Sequence, residues 1–173
     1  LVAPPLNVVL INSKINSSFN DEHRRLIAKF SPVCYAYNYH LVLVNFKIET
    51  SPIDFAKEMA PSTSIGKSGE TLIELAKKGM IKIKNLPIPE NLGKIVICTS
   101  KPDESKIQNH RIISKLLKKE KIALIFGCDE NRNKNIRRLI EKADYHLDIS
   151  GNKIRLSLDT EIGAVTSIIR NSK

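Results

Sequence analysis

Four short stretches, NVVLI at Asn7 to Ile11, LVLVNF at Leu41 to Phe46, KIVIC at Lys94 to Cys98 and IALIF at Ile122 to Phe126, are apolar almost without a break. A strand with one wet face alternates polar and apolar residues. A strand apolar at consecutive positions is buried on both faces, as in a parallel sheet sheathed by helices. Helical patterns separate these runs. They start near Asn20 or Asp21, cover Ser51 to Met59 and Glu70 to Lys78, run from about Glu104 to Lys119, cover Lys134 to Lys142, and resume at Ser157. Weaker strands are expected at Ile81 to Ile83 and Tyr145 to Ile149. Strands alternating with helices predict an α/β fold: a mostly parallel sheet, helices on both faces, and ligands at the carboxyl ends of the strands. At 173 residues and 42% hydrophobic composition, one domain over residues 1–173 is the expectation.

The remaining composition narrows the partners. A formal charge of +10 favours a polyanion such as nucleic acid, although solvated lysine-rich surfaces are common. No apolar run reaches the roughly 18 residues of a membrane span, and the first residues carry no basic start or small-residue cleavage site, so no membrane association and a cytoplasmic location are expected. Cys34, Cys98 and Cys128 lie far apart without metal-ligand spacing, which predicts buried thiols and no metal.

Several residue groups invite a chemical reading. IALIF stops at Gly127, and the CDENRN loop that follows is too polar to be buried; its Asp129, Glu130 and Arg132 could accept a proton and hold phosphate or an oxyanion. Equally, they could be a solvated loop. Basic residues on helices, namely Arg24, Arg111, Lys115, Lys118, Lys119, Arg137 and Arg138, could track an RNA backbone, as could Lys67 in the polar loop at 60–69. Tyr35, Tyr37 and Tyr39 alternate, a pattern that suits base stacking or simple packing beside a strand. Pro32 should kink or end the first helix. Gly66-Lys67-Ser68 nearly completes a phosphate-binding loop, a nucleotide-binding alternative. Against it, Pro61 occupies the first glycine position, and FAKEMA before it is helical where that motif needs a strand.

LIFGCDENRN followed by ISGNKIRLSLDTEIGAV is similar to the second and third motifs of the SPOUT class of RNA methyltransferases. Gly127 takes the position of the glycine and Asp129 that of the acid. Ile149 lies eight residues before Ser157, and Ser157-Leu158-Asp159 stands for Ser-Leu-Asn. Ser150 replaces a proline and Asp159 an asparagine. In the first motif Tyr37-Asn38 fits the Phe-Gly pair, but Pro32 sits where an arginine belongs; Lys29 and Arg25, one and two helical turns earlier, could reach the same region. The resemblance implies a trefoil knot made by the last helix, S-adenosylmethionine as cofactor, RNA as substrate, and a homodimer to which Ile162, Val165, Ile168 and Ile169 could lend apolar surface. It implies a cofactor pocket built from Thr99, from Phe126, Gly127 and Cys128, and from Ile149, Leu156, Ser157 and Leu158. Asp129, Glu130, Arg132, Lys29 and Arg25 are then the candidate catalytic residues. An RNA-binding protein that has the fold without the chemistry is the alternative that the missing arginine leaves open.

Overall fold

The computed structural model describes residues 6–14, 19–61, 67–130 and 133–172. Six strands, β1 (Leu6–Ile11), β2 (His40–Val44), β3 (Ile81–Lys84), β4 (Lys94–Cys98), β5 (Ile122–Phe126) and β6 (Tyr145–Leu147), form one sheet in the order β3-β2-β1-β5-β4-β6. Every neighbouring pair is parallel. The apolar runs are buried on both faces because successive side chains go to opposite sides. Val8, Leu10, Leu41, Leu43, Leu124 and Phe126 enter one core, whereas Val9, Ile11, Val42, Val44, Ala123 and Ile125 enter the other.

The two cores are covered unequally. The first receives the apolar stripes of α1 (Asp21–Tyr37), α2 (Pro52–Met59), α3 (Ser68–Lys77), α4 (His110–Leu117) and α6 (Leu158–Asn171). Among the described residues, the second receives α5 (Lys134–Lys142), through Ile136 and Leu139, together with the segment around the short 3-10 helix Glu90–Leu92. Buried Asn7 on β1 fastens that segment, its side-chain amide donating to the carbonyl of Leu92 at 2.8 Å. No helix among the described residues is long and apolar enough to cross a membrane.

Four boundaries differ from the sequence expectation, each for a local reason. Helix α1 runs through Pro32 to Tyr37. Proline removes the N–H that would bond the carbonyl of Ala28, and the Ser31 hydroxyl donates to that carbonyl instead, at 3.2 Å. Strand β2 ends at Val44, because Asn45 and Lys47 take positive φ values of 65° and 56° and turn the chain. Residues 104–109 are not helical. Asp103 accepts the backbone N–H and the hydroxyl of Ser105, and Ile107 bridges to His146 at the edge of the sheet, so α4 starts only after its Asn109 cap. Strand β6 stops at Leu147, where Asp148 takes over the hydrogen bonding of the following turn.

Candidate functional site

Strands β5, β4 and β6 lie side by side, so the loops that leave their carboxyl ends are neighbours. Gly127 begins the β5 loop with φ +102°, and a Cβ built there would stand 2.5 Å from the carbonyl oxygen of Ile11. The glycine is therefore required by the close passage of the loop over the end of β1. Asp129, two residues on, clasps the neighbouring β4 loop. Its Oδ1 accepts from the Thr99 hydroxyl at 2.6 Å, and its Oδ2 accepts from the Ser100 N–H at 2.9 Å and the Ser100 hydroxyl at 3.2 Å. Thr99 in turn accepts from the N–H of Lys101 at 3.0 Å. Phe126, Cys128 and Thr99 are almost wholly buried, so a ligand could meet the first two only through their main chain.

The β6 loop is ordered by a second carboxylate. Asp148 accepts from the N–H and hydroxyl of Ser150, at 3.1 and 2.7 Å, and from the N–H of Lys153 at 2.7 Å. The Ser150 hydroxyl then accepts from the N–H groups of Asn152 and Ile154. Serine at this position thus builds the turn through groups that proline lacks. Ile149, Leu156 and Leu158 are partly buried, and Ile149 and Leu158 pack on the first core. Ser157 is the N-cap residue of α6, although its hydroxyl bonds the Thr160 hydroxyl, at 2.8 Å, instead of a backbone N–H.

The first turn of α6 carries two acids with opposite environments. Asp159 is half-exposed and accepts from Lys29 Nζ at 3.2 Å, tying α6 to α1. Hydrogen bonding from Ser157, then from Lys29, holds its carboxyl below the usual range. Glu161 is 9% exposed and lies in the buried stripe with Ile162, Val165 and Ile169. Burial, reinforced by the charges of Asp129 and Asp148, pushes its carboxyl up to about 7. Cys98 beneath them is raised well above its ordinary value, chiefly by burial.

Beside these loops is a cavity of about 440 Å³ lined by residues from β1, α1, the β5 loop and α6. It gathers Arg25 and Lys29 from α1, Glu130 from the β5 loop and Leu158 from α6, all singled out from the sequence. It also gathers Asn12, Lys14, His23 and Asp159. His23 closes the N-terminus of α1: its backbone N–H donates to Asn20 Oδ1 at 3.0 Å, and its Nδ1 accepts from the Asn20 N–H at 3.2 Å. Burial, then the Lys14 charge, lowers its pKa. Arg132 lies outside the described residues. Asn12, Lys14 and His23 had no motif to announce them, because a loop and a helix cap brought them together. Glu161 did have a signal: it is a charged residue on the apolar stripe of the last helix.

The basic residues proposed for RNA divide into groups. Arg111 and Lys115 border a surface recess with His110 and Ser172, and Lys118 and Lys119 follow on the exposed end of α4. Arg137 and Arg138 are exposed on α5, across the sheet from α4. Arg24 stacks over Phe19, with 5.4 Å to the ring centroid. Lys67 precedes α3, and the phosphate-loop reading fails on context: α2, not a strand, leads into that loop, whose residues 62–66 lie outside the described residues. Tyr39 is buried and stacks edge-on with Tyr37, so packing accounts for these two, while exposed Tyr35 lies under the Lys78 ammonium.

The family described as "Protein of unknown function (DUF531)" matches residues 6–170. An uncharacterized protein of Methanocaldococcus jannaschii is 32% identical over 164 residues, covering 95% of this chain and 92% of its own. Among solved structures, a probable methylase family protein from Haemophilus influenzae superposes with a TM-score of 0.60 at 17% identity, over 96% of this chain and 64% of that one, so this chain spans somewhat under two thirds of its length. TrmJ from Z. mobilis gives 0.58 at 11% identity, over 98% and 69%. A structure described by the 2-OH methylation of C/U34 on tRNA gives 0.54 at 10% identity, over 96% and 95%. At these identities the likeness is one of fold: a parallel sheet covered by helices, as the alternation of strands and helices in the sequence predicts.

Proposed function

The chain belongs to the DUF531 family, and we propose that it transfers a methyl group from S-adenosylmethionine to RNA. The single observation that carries this reading is the convergence of Arg25, Lys29, Glu130 and Leu158 in one cavity beside the loops from the three strand ends. The fold shared with methylase structures adds to it. In this reading the enzyme is cytoplasmic, is one domain over residues 1–173 with a C-terminal trefoil knot, and works as a homodimer without a metal.

The residues present suit the cofactor. Glu161, 9% exposed and without a hydrogen-bond partner among the described residues, complements a cationic ligand, and the partly buried Ile149 and Leu158 offer apolar surface for an adenine ring. When bound, the cofactor supplies an electrophilic methyl carbon on a sulfonium sulfur. Protein groups do the positioning. Arg25 and Lys29 hold the phosphate of the target nucleotide, and the Lys29–Asp159 ion pair sets the lysine's direction. Glu130, exposed on the loop, accepts the proton that the target oxygen or nitrogen gives up as its lone pair takes the methyl. Asp129 spends both oxygens on Thr99 and Ser100, and its part in this scheme is to shape the pocket.

Calorimetry with S-adenosylmethionine, followed by radiolabelled methyl transfer to bulk RNA from cells lacking the protein, tests the proposal. Binding and transfer are expected, and no cofactor binding would overturn it. A second reading, an RNA-binding protein without transfer, is favoured by one observation: Pro32 stands inside α1 where a methyltransferase of this class carries arginine. RNA and cofactor binding without labelled product would select that reading.

A further inference from the structure

Glu161 presents a conflict that the fold does not resolve. Glu161 is 9% exposed as a residue on the first turn of α6, its carboxylate oxygens stay within reach of solvent, and no hydrogen bond or ion pair joins that carboxylate to another described residue. Among the described residues, the groups whose charge acts on it or that feel its charge are the carboxylates of Asp129 and Asp148, the guanidinium of Arg155 and the thiol of Cys98. Asp129 and Asp148 are each satisfied by several N–H and hydroxyl donors in their own loops. Glu161 alone has none. An ionised carboxylate without a partner is costly to bury, and a glutamine or apolar residue would fill the same stripe more cheaply.

We infer that the Glu161 carboxylate is the counter-ion for a positively charged adenosyl ligand held by the loops at 99–103, 127–130 and 148–157, and that it selects such a ligand over a neutral one. This rests on the methyltransferase reading above and adds the basis of its ligand preference. A sulfonium or an α-ammonium arriving at this carboxylate supplies the missing partner, and the neighbouring Asp129 and Asp148 add to the attraction. The binding free energy is then drawn from pairing a largely buried charge. Its size therefore depends on the ligand's charge more than on its shape.

The test is calorimetry of the full chain with S-adenosylmethionine, S-adenosylhomocysteine and uncharged 5′-methylthioadenosine, for the parent and Glu161→Gln. Glutamine keeps the volume and removes the charge; its ligand-free melting temperature should equal or exceed the parent's, which excludes unfolding as a cause. Glu161→Gln should weaken S-adenosylmethionine by about tenfold or more and leave methylthioadenosine within about twofold. A loss confined to S-adenosylmethionine puts the carboxylate at the sulfonium, and a loss shared with S-adenosylhomocysteine puts it at the ammonium; both support the inference. The parent's affinity for S-adenosylmethionine should also rise between about pH 6 and pH 8 as Glu161 ionises, and that rise should vanish in the variant. Equal effects on charged and uncharged ligands, or an unchanged pH dependence, overturn the role of Glu161 alone. A parent that binds none of the three ligands overturns the methyltransferase reading itself.

Discussion

Gly127 and Glu161 illustrate how a single residue in the site can serve the fold or oppose it. The sequence marks Gly127 as the place where core becomes loop, which is correct, but the reason for glycine is visible only in three dimensions. The nearest atom to a new Cβ is the Ile11 carbonyl oxygen, at 2.5 Å, so a side chain would press on the backbone of β1. Gly127→Ala should therefore lower stability by roughly 2–4 kcal/mol in urea denaturation, combining the positive φ with the collision. Unchanged stability would show that the loop relaxes freely. Glu161 has the opposite balance. Its carboxyl titrates at about 7 in the folded chain against an ordinary value of 4.5, so folding takes up a proton between those values and stability declines as pH rises through that interval. The penalty is complete above about 7. Glu161→Gln should thus be more stable than the parent at pH 8 by roughly 1–2 kcal/mol, with the shift discounted for solvent screening, and should lose that advantage near pH 5. Denaturation curves at the two pH values check the sign.

At the scale of elements, the apolar runs were legible because burial on both faces leaves no polar residue to interrupt them; β1, β4 and β5 match to within a residue. Helix bounds were legible in part, at the start of α1 near its Asn20 cap and at both ends of α5. They failed where a side chain answered for the backbone. Ser31 supplies the hydrogen bond that Pro32 removes, and Asp103 draws residues 104–107 into a turn that periodicity alone reads as helix. The candidate site was half legible for a related reason. Motif spacing found Lys29, Arg25, Glu130 and Leu158, whereas Asn12, Lys14 and His23 join them only through the closure of loops over β1. The shorter α4 still presents Lys115 and, just beyond its end, Lys118 to solvent. Replacing both with glutamine should weaken RNA binding and lower the salt slope by roughly one unit per lost phosphate contact, leaving cofactor affinity unchanged. A filter-binding series across salt concentrations reads both quantities, and an unchanged slope would move the RNA surface away from α4, α5 across the sheet being the next place to look.

For the whole molecule, the outer surface of the helices that cover the first core decides where a second copy could dock. Three of the four apolar residues of α6 considered for a dimer, Ile162, Val165 and Ile169, are consumed by the protein's own core. Ile168 remains, 36% exposed, and α4, which packs on α6, contributes Ile112, 40% exposed. Exposed large apolar side chains on two packed helices suit a two-fold contact, where each copy covers the other's, better than they suit solvent. The proposed homodimer is therefore expected to use the α6 and α4 surface, with Ile168 close to its centre. Sedimentation equilibrium at micromolar concentration should give twice the 19.5 kDa chain mass for the parent. Ile168→Lys places a charge on that surface without touching the core, so it should shift the protein toward the single-chain mass while leaving its circular dichroism unchanged. If the dimer places a partner's residues beside the α1 end of the cavity, the same substitution should also reduce methyl transfer under conditions that dissociate it. A parent that sediments as one chain would confine the site to a single copy, and the exposed apolar residues would then need another partner.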